Sequence, residues 1–128
     1  MGYYFTKTVD FAFDEAVQKV TEDLKNEGFG ILTEIDVKDT LKKKLDVEFR
    51  RYQILGACNP PFAYKALLAE EKIGTMLPCN VIVQEKDNGK VEVSAINPLL
   101  SMIAVGNEAL NDIATKIGIK LQKVINGL

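Results

Sequence analysis

A chain of 128 residues with 47% hydrophobic and 27% charged side chains has the composition of one globular domain, long enough to bury a core without disulfide staples. A net charge of −2 and a pI near 5.2 give no bulk attraction to nucleic acid or anionic lipid. The complete lack of histidine removes the commonest metal ligand, the commonest general base and every Ser-His or Cys-His arrangement.

Residues 3–8 are rich in aromatic and β-branched side chains and predict a first strand. That reading accounts for Tyr3, Tyr4 and Phe5 better than the N-myristoylation pattern that Met1-Gly2 and Thr6 formally fit. Asp10 is placed to cap a helix in which Phe13, Ala16, Val17, Val20 and Leu24 recur at helical spacing, and Gly28 supplies a left-handed C-terminal cap. Phe29, Ile31, Thr33 and Ile35 alternate as one face of a second strand. Asp36 then caps a short helix with Val37, Leu41 and Leu45 on one side and Lys38, Lys42, Lys43 and Lys44 on the other. Because Asp36, Asp39, Asp46 and Glu48 interleave, the lysine run reads as a solvated face near the negative end of the helix dipole rather than a phosphate or nucleic-acid contact.

A third strand runs from residue 48 or 50 to Cys58. The face Tyr52, Ile54, Gly56, Cys58 is more apolar than Arg51, Gln53, Leu55, Ala57, so Cys58 is expected to point toward the core. Asn59-Pro60 ends the strand and opens a helix whose apolar positions are Phe62, Ala63, Ala66, Leu67 and Leu68, with Gly74 just beyond its end. Residues 79–85 and 90–96 form a hairpin. A two-residue Asn-Gly turn would scatter its valines over both faces, whereas a three-residue loop ending in a left-handed Gly89 pairs Val83 with Val93 and Val81 with Ala95 and sets Cys79 opposite Asn97. Asn97-Pro98 ends that strand. The apolar segment 99–105 is too short to span a bilayer and is unusual for a solvent loop, so it lines a pocket, closes the core or buries itself in a second subunit. Asn107 caps a last helix with the stripe Leu110, Ile113, Ile117, Leu121 and Val124. No linker or internal repeat interrupts the order. The expectation is a single α+β domain over residues 1–128, with a five-stranded, mainly antiparallel sheet and two long helices on one face.

If the third and fourth strands are antiparallel neighbours, Cys58 ends where Cys79 begins. Cys58, Asn59, Cys79, Asn80 and Asn97 then gather at one end of the sheet, where the segment carrying Met102 leaves. Three readings stand side by side. The asparagines punctuate strand ends and the cysteines are small buried hydrophobes. Alternatively, the gathering is a small-ligand pocket with asparagine amides as orienting groups and Met76, Met102 and Ile103 as apolar wall. In the third, Cys58 is a reactive thiol at a helix start with Cys79 as resolving or metal partner. Against the third, no basic residue lies nearby, Pro60 and Pro61 remove two backbone donors, and two thiols fall short of the four ligands zinc wants. No glycine-rich phosphate loop, nucleophile elbow or carboxylate cluster is present, so no catalytic residue, cofactor or metal site is expected. With two cysteines and no signal peptide at its start, the chain reads as cytoplasmic.

Asn26-Glu27-Gly28-Phe29, Gly56-Ala57-Cys58-Asn59-Pro60, Thr75-Met76-Leu77-Pro78-Cys79, Gly89-Lys90-Val91 and Asn97-Pro98 together resemble the domain-of-unknown-function family 302, over nearly the whole chain. The resemblance implies a β-α-β4-α fold with short helical insertions, similar to the TATA-binding-protein-like class, and a homodimer. It implies no established activity, and fold likeness to a DNA binder carries no DNA binding. The expected function is a cytoplasmic, non-enzymatic module for a small molecule or protein, without nucleic-acid or membrane partners. Its candidate ligand-binding residues are Cys58, Asn59, Cys79, Asn80, Asn97 and Met102. The alternative is a thiol-dependent redox or metal-binding protein using Cys58 and Cys79.

Overall fold

A computed structural model describes residues 2–128; Met1, with which the formal acylation pattern begins, lies outside the described residues. The hairpin is the centre of the architecture. β4 (Cys79–Glu85) and β5 (Val91–Ile96) are joined by the expected three-residue loop: Gly89 has φ 80°, the Gly89 N–H donates to Lys86 O at 2.8 Å, and the Lys86 N–H to Lys90 O at 2.7 Å. Val83 pairs with Val93 and Val81 with Ala95, and the ladder stops short of Cys79 and Asn97.

β1 (Tyr4–Val9) lies beside β5, while β3 (Tyr52–Cys58) and then β2 (Gly30–Asp36) lie beyond β4, giving the order β1-β5-β4-β3-β2 with every pair antiparallel. α1 (Phe13–Asn26) and α5 (Ala109–Asn126) cover one face. Ala16, Val20 and Leu24 of α1 and Leu121 and Ile125 of α5 bury against Leu55, Val81, Val83 and Val93. α1 ends as expected: Gly28 at φ 88° lets the Phe29 N–H donate to Leu24 O at 2.9 Å and its own N–H to Lys25 O at 3.0 Å, closing two orphan carbonyls. The start differs. Ala12 is the N-cap and no side chain caps the helix, because Asp10 lies too far ahead of Phe13 for its carboxylate to serve the first turn.

Two strand faces also differ from expectation. A bulge between Ile31 and Thr33 of β2 shifts the register, so Ile31 stays opposite Ala57 but Thr33 and Ile35 lie opposite Gly56 and Ile54 on the other face. In β3 it is Leu55 and Ala57 that face the helices, paired with Val81 and Cys79. Counting apolar residues misleads here because the uncovered face is itself apolar, with Tyr52, Ile54 and Ile82 lying along it.

α2 (Val37–Leu45) buries no residue. Its cap is the expected one, the Asp39 N–H donating to Asp36 Oδ1 at 2.9 Å. Three of its four lysines meet carboxylates: Lys38 with Glu48 at 3.8 Å, Lys42 with Asp46 at 2.8 Å and Glu48 at 3.1 Å, and Lys43 with Asp39 at 2.9 Å. α3 (Pro60–Ala69) buries only Ala66, leaves Leu68 exposed, and stops before a 3-10 turn (Glu71–Met76) that contains Gly74. Segment 99–105 folds mostly into a short helix, α4 (Pro98–Ile103). Its Met102 joins Ala66, Ile73, Leu110 and Ala114 in a second, smaller core cluster. Asn107 ties this region together, its Oδ1 accepting from the Ala109 N–H at 3.0 Å and its Nδ2 donating to Ala69 O at 2.9 Å. No described helix is long and apolar enough to cross a membrane.

Candidate functional site

The two core clusters do not close on each other. A cavity of about 330 Å³ remains at their seam, bounded by the β3–α3 junction, the approach to β4, and by α4 and α5. Its walls draw Phe29, Ala57 and Ile117 from the principal cluster and Ala66 and Met102 from the smaller one. The space exists because α3 presents Ala63 and Ala66 where larger side chains would meet the core. Leu32 and Leu67 also line it while remaining 66% and 44% exposed, which marks the side open to solvent.

The chemistry of the lining is almost wholly apolar, without a charged side chain. Asn59 supplies the amide, and its Nδ2 already donates to Glu27 O at 3.2 Å, clamping the β3–α3 junction to the end of α1. Two sulfurs complete the polar inventory. Burial first, and the neighbouring Cys58 second, push the Cys79 thiol up to about 11, so it is protonated at neutral pH and packs as an apolar group. Both cysteines are free, and among the described residues no group of three or more His, Cys, Asp or Glu side chains is placed to hold a metal.

Of the residues singled out from sequence, Cys58, Asn59, Cys79 and Met102 line this one cavity. Antiparallel pairing of β3 and β4 sets Ala57, one residue before Cys58, opposite Cys79, and Cys58 meets the cavity as the last residue of its strand. Asn80 and Asn97 stand outside it. Asn80 lies opposite Gly56 toward the uncovered face of the sheet and is exposed. Asn97 is buried as a structural cap, Oδ1 accepting from the Leu99 N–H at 3.2 Å and Nδ2 donating to Gly2 O at 3.4 Å. Sequence reasoning missed Phe29, Phe62, Ile113 and Ile117 as cavity wall. The available signal was the alanine content of α3, a helix facing a core with side chains too small to fill it.

A second hollow, of about 480 Å³, lies on the uncovered face of the sheet. Several of its polar groups engage one another: Thr6 Oγ1 and Ser94 Oγ are 2.8 Å apart, Arg50 Nε donates to Gln84 Oε1 at 2.9 Å, and Gln84 Nε2 donates to Glu92 Oε1 at 3.1 Å.

Comparison with known proteins gives one consistent answer. The family model described as "Domain of unknown function DUF302" matches residues 5–128. The crystal structure of an uncharacterized conserved DUF302 protein from Bacillus stearothermophilus is similar to this chain, with a TM-score of 0.92 and 28% sequence identity over 98% of each chain. No curated protein matches the chain.

Proposed function

The chain belongs to the DUF302 family of unknown function, and we propose that it is a cytoplasmic, non-enzymatic module that binds a small apolar molecule, or the apolar part of one, in the cavity between the two core clusters. The observation that carries this reading is a cavity of about 330 Å³, open on one side and lined without a charged side chain. Ligand sites are concave and mostly apolar with a few polar groups. Apolar surface removed from water stabilises a complex by roughly 25 cal/mol per Å², and this open cavity exposes such surface until a ligand covers it. Burial keeps the Cys79 thiol protonated, so it lines the cavity as an apolar group, in keeping with an apolar ligand.

The test is a thermal-shift and ligand-observed NMR screen with uncharged apolar probes. The expected result is a raised melting temperature for several probes, abolished in Ala63→Phe, which fills the cavity from α3. A folded protein that binds none of them overturns the reading.

We also propose that two copies pair through the uncovered sheet face. The support is the row of half-buried Tyr52, Ile54 and Ile82 beside exposed Tyr4 on a face that neither α1 nor α5 covers. Sedimentation across a concentration series decides it, a monomer at every concentration being the contrary result.

A further inference from the structure

The cavity accounts for an apolar ligand, and one polar group in its wall narrows the chemistry. Asn59 is 8% exposed and, the two cysteines aside, is the one lining residue with a polar side chain. Its amide is held in one orientation. The atom facing Glu27 O meets a pure acceptor, so it is the nitrogen, and Nδ2 donates there at 3.2 Å. From the point where a Cβ on Gly28 would stand, Nδ2 is 3.1 Å away and Oδ1 4.0 Å, so the oxygen is turned from the end of α1. Among the described residues Asn59 Oδ1 accepts no hydrogen bond, the bond to Glu27 O being the only one its side chain makes. No buried side-chain oxygen or nitrogen there is both sealed from solvent and unbonded. Oδ1 therefore keeps access to open space, and the space that Asn59 lines is the cavity.

The clamp to Glu27 also leaves the start of α3 incomplete. Asn59 is its N-cap residue, where an amide oxygen ordinarily accepts from an N–H of the first turn, yet no side chain caps this helix. Pro60 and Pro61 have no N–H, and the Phe62 N–H, which points back toward the N-cap as first-turn donors do, finds no acceptor among the described residues. An acceptor and a donor thus stand unmet on two lining residues one turn apart. An ionised group suits them poorly: the lining holds no charge to pair with it, and a carboxylate has no proton to give Oδ1. A hydroxyl both donates and accepts. We propose that the ligand is a neutral apolar molecule carrying a hydroxyl, an alcohol or a phenol, whose O–H donates to Asn59 Oδ1 while its body lies along Phe62, Ala66 and Met102. This rests on the reading of the cavity as an apolar-ligand site and adds the polar group of the ligand and the residue that selects it.

1-Octanol and its isomer heptyl methyl ether contain the same atoms and differ in the hydroxyl proton; both are titrated calorimetrically, with octanoate as the charged comparison. The alcohol is expected to bind about tenfold more tightly than the ether, which covers Oδ1 and leaves it unbonded, a cost in the lower part of the range for a buried unmet acceptor. Octanoate is expected to bind more weakly than the alcohol. In NMR spectra the side-chain amide resonances of Asn59 shift with saturating alcohol and much less with the ether. Asn59→Ala removes the preference while the ether still binds; where loss of the Glu27 clamp unfolds that variant, the Asn59 resonances of the parent chain decide. Ether binding as tight as the alcohol's, octanoate binding tighter than the alcohol, or Asn59 resonances that respond alike to alcohol and ether overturns the hydroxyl inference and leaves the apolar-site reading intact. If no probe binds, or if saturating probe leaves the methyl resonance of Met102 unmoved, both fall.

Discussion

The Cys79 thiol shows how one buried atom couples site chemistry to stability. Its pKa stands at about 11 against an ordinary 9.0, raised first by burial and then by Cys58. Between pH 9 and 11 the unfolded chain has lost a proton that the folded chain keeps, so the folded state is favoured fully below pH 9 and progressively less as pH rises through the folded value. The window corresponds to a loss of about 2–3 kcal/mol. Urea denaturation across it should show a shallower decline in Cys79→Ala than in the parent chain; parallel profiles would count against the assignment. Gly56 sets a steric limit at the same scale. A Cβ there would overlap Thr33 Oγ1 and stand 2.8 Å from Pro78 Cγ, so Gly56→Ala is expected to cost on the order of 3 kcal/mol, read as a lowered midpoint in urea. Neither constraint is visible from sequence, where Cys79 is far from Cys58 and Gly56 far from Thr33 and Pro78. The caps at Asp36 and Gly28 were legible because each acts on atoms within a few residues of itself, whereas the N-cap of α5 is Glu108, without a side-chain bond, and Asn107 one residue earlier accepts from the Ala109 N–H.

Among the elements, α4 is the one whose role sequence left open. Its apolar residues satisfied three fates equally, and its packing on α5 selects closure of the smaller core, with Met102 and Pro98 buried and Ile103 61% exposed. Met102→Ala should destabilise by about 2–4 kcal/mol through the lost contacts and the enlarged cavity. It should also speed amide hydrogen exchange in α4 before that in α1, because the smaller cluster carries α4 while α1 belongs to the principal core. Exchange that rises uniformly over the molecule would show the two clusters to be one cooperative unit. β2 teaches a related lesson. Its alternating residues imply a regular strand, and one extra residue at Leu32 sends Thr33 to the face opposite Ile31. The same bulge places Leu32 at the open side of the cavity.

For the molecule as a whole, the sheet is covered on one face and uncovered on the other, and the two proposals use different parts of it: the cavity at the end nearest Cys79, the pairing surface along Tyr52, Ile54 and Ile82. They are separable by substitution. Ile82→Lys puts a charge in the middle of the uncovered face, away from the cavity lining. Sedimentation should then show monomer where the parent chain is paired, while probe binding in the cavity stays unchanged. An unaltered association state would remove that face as the pairing surface.

The hairpin register, both long helices and the antiparallel α+β class followed from sequence alone, because a three-residue loop with a left-handed glycine and an apolar stripe of helical period each act over a few neighbouring residues. Tertiary structure alone decided which face of β3 meets the helices, where segment 99–105 goes and that a cavity lies between the two clusters. Both faces of β3 offer apolar residues, so only the packed neighbours choose between them. A cavity is the space left when several distant elements fail to meet, and no local pattern of residues records it.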